Sequence, residues 1–250
     1  MMKTIDDLKS SKEMLRQKRV TFYDHWKDLS EQVLPRHARF FREDRMRGGT
    51  KRNDKILNDT PTKAARVCAS GMAAGISSPV RIWFRTGVDN PELAKIARVQ
   101  EYLHQVDMRM RVVTIVSNLY NGLGNLYLDL CVYGTGAMLI DEDEDSVIRV
   151  YSLAIGSYFI EVNDRQQVDT IYRELSMTVR QLVTKFGMEN CSLHVQQLAK
   201  EKKWWTWIDV THVIEPNMEM VDGNIDHSGM EFSSYWFEDK SGRWPGRSRA

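Results

Sequence analysis

The sequence predicts an α+β fold in which N-terminal helices, including a long helical region, precede a mainly antiparallel β region with short helices. Two observations carry this. Apolar residues recur at three- and four-residue spacing from Ile5 to Leu34 and again from Leu93 to Met110, the period of helices that bury one face. Beyond Gly134, Thr135 and Gly136 the period changes to two, with turn residues between the runs, as in half-buried strands. Helices gathered before strands, rather than alternating with them, argue for α+β over a parallel α/β sheet.

The first helical stretch carries Ile5, Leu8, Met14, Leu15, Phe22, Trp26, Leu29 and Val33 at helical spacing, with charged residues between them. Pro35 ends it, because its ring restricts the preceding residue and it has no N–H to donate. Residues 36–55 hold eight Lys or Arg against three Asp or Glu, with Gly48 and Gly49 among them, and read as a mobile basic segment. Asp59, Thr60 and Pro61 offer a polar cap and an early proline. The helix they open is rich in small residues from Ala64 to Ala74, with Gly71 and Gly75 expected to allow close approach of a neighbour and Pro79 expected to stop it.

A further helix begins near Pro91 and Glu92 and continues through Ile96, Leu103 and Met110, with more helix from Val113 to Tyr133. Gly122 and Gly124 are its weak points, each unfavourable by about 1 kcal/mol relative to Ala. Ala137 to Ile140 and Val147 to Tyr151 then form a hairpin whose tip is the acidic run Asp141 to Asp145. Strands follow at Tyr158 to Val162 and Val168 to Leu175, joined by a turn at Asn163 and Asp164. Thr178 and Gln181 have the spacing of a capping box that opens a short helix to Phe186, closed by Gly187. A second short helix from Ser192 to about Lys200, and strands near Trp204 to Glu215 and Glu231 to Phe237, complete the layout.

Composition narrows the function. The 250 residues are 42% hydrophobic and carry a formal net charge of +1, enough for a packed core but without the broad positive field of a protein held to nucleic acid mainly through phosphates. No apolar run approaches the roughly 18 to 20 residues of a membrane span, and Met1 to Lys18 is too charged for a signal peptide, so a cytoplasmic origin is expected. Cys68, Cys131 and Cys191 are spaced for neither a disulfide framework nor a C-x-x-C metal site, and are expected to be reduced and buried.

Catalytic and cofactor motifs are missing: there is no triphosphate-binding loop, no H-E-x-x-H and no G-x-S-x-G elbow. Gly122 with Gly124, and Gly134 with Gly136, lack the third glycine of a dinucleotide fingerprint. The six histidines (25, 37, 104, 194, 212 and 227) have no ligand spacing, which predicts surface or packing roles. The acidic run lacks the Gly and distal Glu of a calcium loop and reads as a solvated tip. No catalytic residue, cofactor or metal is therefore expected. The candidate contact residues for DNA or a neighbouring subunit are Arg36, Arg39, Arg42, Arg45, Arg47, Lys51 and Arg52, with Lys55 beside them and Phe40 and Phe41 in their midst, since closely spaced cations recruit a polyanion by counterion release. Trp205 and Trp207 would share one face of a strand, as core or interface residues rather than a stacking platform.

The order of these segments is more telling than any one of them. Arg19, Trp26, Leu29 and Pro35 are followed by the basic loop and then by Ile56, Asp59 and Thr60; next come the Ala-rich helix, Ser78-Pro79, Trp83-Phe84, the long helical region, and Tyr133 to Gly136. Tyr158 to Ile160, Asn163-Asp164, Arg173-Glu174 and Met177 to Gly187, with its Thr178, Gln181, Leu182 and Phe186, complete the succession. Over about residues 15–238 it resembles the head-to-tail connecting, or portal, proteins of short-tailed bacteriophages. The resemblance implies a wing-like domain with a helical part at 1–135, an α+β part at 136–238 and an aberrant tail at 239–250. It implies a non-enzymatic subunit of a dodecameric ring at one capsid vertex, with terminase, capsid and tail proteins as partners, double-stranded DNA passing through, and no membrane. Virion and, during assembly, host cytoplasm are the expected locations. Family members are much longer, so the Gly- and Arg-rich end from Ser241 to Ala250 reads as a truncation. The competing expectations are a nucleic-acid-binding module acting through residues 36–55 and an enzyme with an unrecognised site.

Overall fold

The computed structural model describes residues 4–35, 37, 55–218, 220 and 229–239, and the backbone of 246–248. Among them are seven α-helices: α1 (Ile5–Gln32), α2 (Thr60–Ile76), α3 (Pro91–Ala94), α4 (Ala97–Val116), α5 (Leu119–Tyr133), α6 (Val179–Phe186) and α7 (Leu193–Lys200). The strands are β1 (Ala137–Asp143), β2 (Val147–Leu153), β3 (Tyr158–Val162), β4 (Val168–Thr178), β5 (Trp207–Pro216), β6 (Phe232–Glu238) and β7 (Gly246–Ser248). The predicted α+β class holds, with the helices largely first and an antiparallel β region with two short helices after them. The described residues form two compact units, one joining residues 4–25 to those from Gly156 onward and the other running from Trp26 to Ile155. Helix α1 contributes its first 21 residues to the former and Trp26–Gln32 to the latter.

The first unit is built on a five-stranded antiparallel sheet in the order β3-β4-β5-β6-β7. Strand alternation sends neighbouring residues to opposite faces. On one face Val210 and Trp236 pack with Val179, Leu182, Val195 and Ala199 from α6 and α7. On the other, Tyr172, Val213 and Phe237 pack with Leu8 and Leu15 of α1 and with Phe159. The capping box forms as the spacing predicts: Thr178 Oγ1 accepts from the Gln181 amide at 3.3 Å and Gln181 Oε1 from the Thr178 amide at 2.9 Å. Gly187 closes α6 at φ +81°, where a Cβ would be strained. The strand at Gly246–Ser248 is not one its composition predicts; it pairs with β6 in the backbone ladder, which needs no apolar alternation.

The second unit packs α2 against α5, and α5 against the two-stranded hairpin of β1 and β2. Three expectations change here. Gly71 and Gly75 face open space; Ala65 and Ala69 are the buried residues of α2. Asp59 makes no side-chain cap, since its carboxylate pairs with Lys63 at 2.7 Å, and Asn58 accepts the Thr60 amide at 2.9 Å instead. The long helical region breaks at Ile96 and at Ser117-Asn118, whereas α5 runs through both Gly122 and Gly124. Gly122 has a packing reason, because a Cβ there would overlap the Val150 side chain.

Candidate functional site

Helix α1 presents Leu8, Lys12, Leu15 and Arg19 along one stripe, spaced four, three and four, and Leu8, Leu15 and Arg19 are buried. Lys12 is the polar centre of this seam. Its Nζ lies 2.9 Å from Glu174 Oε1 and 3.0 Å from Asp239 Oδ1, and donates to Thr211 Oγ1 at 2.7 Å. Arg19 sits over the rings of Tyr158 and Phe159, 5.1 and 5.3 Å from their centroids, a cation–π arrangement, and burial lowers its guanidinium pKa. The sequence pattern singles out Met14 and Phe22 instead, and both are exposed, Phe22 by 54%.

On the opposite face of the sheet, Arg173 Nε donates to His212 Nδ1 at 2.7 Å, and His212 Nε2 meets Ser234 Oγ at 2.8 Å. Because Arg173 can only donate, Nδ1 is an acceptor and the proton of the neutral ring belongs on Nε2. The imidazole stacks on Trp236 with centroids 4.0 Å apart. Burial first, then the charges of Arg173 and Lys185, push its pKa down to about 2. A strongly shifted histidine often marks a catalytic centre, but here both ring nitrogens are engaged inside a packed core, so the ring cannot exchange a proton with a substrate. The packing role predicted for the histidines applies to this one.

In the second unit, Asn118 acts as a clamp between helix and hairpin: its Nδ2 donates to the Val150 carbonyl at 2.7 Å and its Oδ1 accepts the Val150 amide at 2.8 Å. Buried Asp129 of α5 meets His37 Nδ1 at 3.3 Å; desolvation raises its pKa and His37 opposes that rise. At the hairpin tip the Asp143 carboxylate accepts from Ser146 and forms a two-point pair with Arg149 at 2.9 and 3.0 Å. Those contacts hold it well below the usual carboxylate range. Among the described residues no three His, Cys, Asp or Glu side chains converge as metal ligands, and no helix is long and apolar enough to cross a membrane.

The candidate contacts Arg36, Arg39, Arg42, Arg45, Arg47, Lys51 and Arg52 lie outside the described residues. At the segment's C-terminal edge, Lys55 pairs with Glu31 at 2.6 Å. Trp205 and Trp207 do not share a strand face: Trp205 precedes β5 and is 73% exposed, while Trp204 packs on the α6–α7 core. Cys191 is buried as expected, but Cys68 is exposed and Cys131 half-buried, and all three thiols are free.

These arrangements hold elements of the fold together. The chain matches the family model described as bacteriophage head to tail connecting protein over residues 6–248. It is 39% identical over 224 residues to the portal protein of Salmonella phage epsilon15, and equally to the probable portal protein of Bordetella phage BPP-1. Each match covers 90% of this chain and 40% of the relative, so the chain spans two fifths of the length of these relatives. The chain belongs to the bacteriophage head to tail connecting protein family.

Proposed function

We propose that the chain is a portal subunit, part of a head-to-tail connector ring at one capsid vertex through which viral double-stranded DNA is packaged and ejected. The 39% identity to the epsilon15 portal protein across 90% of the chain carries this reading. In it the chain is non-catalytic and needs no cofactor. It assembles with copies of itself, as a dodecamer by family resemblance, in the host cytoplasm, works with terminase, capsid and tail proteins, and remains in the virion.

The division into a helical part at 1–135 and an α+β part at 136–238 of one domain belongs to the same proposal, with Gly246–Ser248 of the 239–250 end paired to β6. A ring needs two different surfaces on each subunit. Helix α4 is a candidate for one: none of its 20 residues is buried, and Tyr102, Val112, Ile115 and Val116 are mostly exposed, an apolar display that marks an interaction surface.

Light scattering on the purified chain over a concentration series tests the reading. A discrete closed oligomer of high order is expected, and a monomer at every concentration refutes self-assembly of this chain. The basic residues 36–52 are proposed to touch either passing DNA or the next subunit. Changing Arg42, Arg45 and Arg47 to Ala separates the two: DNA binding predicts a salt dependence of affinity shallower by about one for each phosphate that is no longer neutralised, and subunit binding predicts a shift in assembly.

A further inference from the structure

We propose that Cys68 and Cys131 form a redox-sensitive disulfide site that staples α2 to α5. The two sulfurs lie 3.0 Å apart, across helices that pack side by side. A disulfide is about 2.05 Å long, so closure asks for an approach of about 1 Å between two side chains already directed at each other. Nothing in the spacing of the cysteines announces this, because they are 63 residues apart and are brought together only by the packing of α2 on α5.

The surroundings assign the two sulfurs different parts. Cys68 is exposed, so an external disulfide reaches it first. Cys131 is half-buried behind it, with Met72 Sδ 3.4 Å away. In the first step the Cys68 thiolate attacks a low-molecular-weight disulfide such as oxidised glutathione. One external S–S bond breaks, a mixed disulfide forms on Cys68, and one external thiolate leaves. Cys131 then gives its proton to solvent and attacks Cys68 Sγ, which expels the second external thiolate. Two protein thiols are oxidised and one external disulfide is reduced to two thiols.

Burial raises the pKa of the Cys131 thiol, and so does Cys68 while both are reduced, so the Cys131 attack accelerates with pH. Cys191 is the internal control: it is buried and donates to the Gly187 carbonyl at 3.2 Å. A covalent tie has leverage here because α2 buries only Ala65 and Ala69 along its length, little apolar area to hold a 17-residue helix in place.

The test uses the full chain in glutathione buffers of graded redox poise, with non-reducing peptide mapping and counting of free thiols. The expected result is loss of two of the three thiols, a peptide linking Cys68 to Cys131, and a closure rate that is independent of protein concentration and rises with pH. Amide exchange in α2 should slow by at least about tenfold in the oxidised protein. The variant Cys131→Ser should stop at the mixed disulfide on Cys68. A persistent mixed disulfide on Cys68 in the unmodified protein, Cys68 dimers between chains, or Cys191 in the linkage would each overturn the proposal.

Discussion

Lowering the pH from 7.5 to 5.0 should destabilise the fold by about 2 kcal/mol through a single residue, His212. Its ring accepts from Arg173, contacts Ser234 and stacks on Trp236, and it is held neutral with a pKa of about 2 against an ordinary 6.5. A proton on Nδ1 would face the Arg173 guanidinium head-on. Because the folded pKa is depressed, the unfolded chain binds the proton first. The stabilisation is complete above about pH 6.5 and is lost progressively as pH falls from there toward 2. At pH 5.0 the unfolded histidine lies about 1.5 pH units below its pKa, and at about 1.36 kcal/mol per unit this gives the 2 kcal/mol. Urea denaturation at the two pH values measures it, with His212→Asn as the comparison. The variant cannot titrate yet offers an oxygen to Arg173, so it should start less stable but lose about 2 kcal/mol less between the two conditions. Equal losses in both proteins would show that His212 is not held neutral, and the assignment of its proton to Nε2 would fall with it.

Other consequences concern single interactions. Lys12→Ala leaves two acidic side chains without their shared cation in a largely buried seam and should destabilise by about 3 kcal/mol in the same denaturation assay. Asn118→Ala removes both bonds to the Val150 backbone, an expected loss of about 2 kcal/mol, visible as faster amide exchange at Val150. Glycine substitutions in neighbouring helices should have opposite signs: Gly122→Ala forces Val150 aside and lowers the thermal midpoint by about 1–3 kcal/mol equivalent, whereas Gly71→Ala, in open space within α2, raises it by up to about 1 kcal/mol.

The features legible in the sequence are those whose causes are local. The Thr178–Gln181 capping box, the Gly134 and Gly187 helix ends and the β1–β2 hairpin each depend on residues within a few positions of one another. What stays hidden depends on partners far along the chain. Lys12 and Arg19 look like solvent-side charges of an amphipathic helix until β4 and the loop after β6 bring Glu174 and Asp239, and β3 brings Tyr158. The break at Ser117-Asn118 has its reason in Val150, 32 residues on, while α5 runs through the suspected Gly122, where the Val150 side chain packs too close to admit a Cβ. The cysteine pair is hidden for the same reason. The basic segment, the one candidate contact region in the sequence, falls outside the described residues.

The division of α1 between the two units sets an order of events during synthesis. The unit from Trp26 to Ile155 is a nearly continuous stretch of chain, complete once β2 has left the ribosome. The other unit is interrupted: Phe237, which packs with Leu8 and Leu15, is made more than 200 residues after them. At typical elongation rates that is a wait on the order of tens of seconds. During that interval Leu8 and Leu15 lack partners that β5 and β6 supply, Val213 and Phe237. A nascent chain stalled before β6 would expose Leu8 and Leu15 to chaperones, which crosslinking on the ribosome can detect.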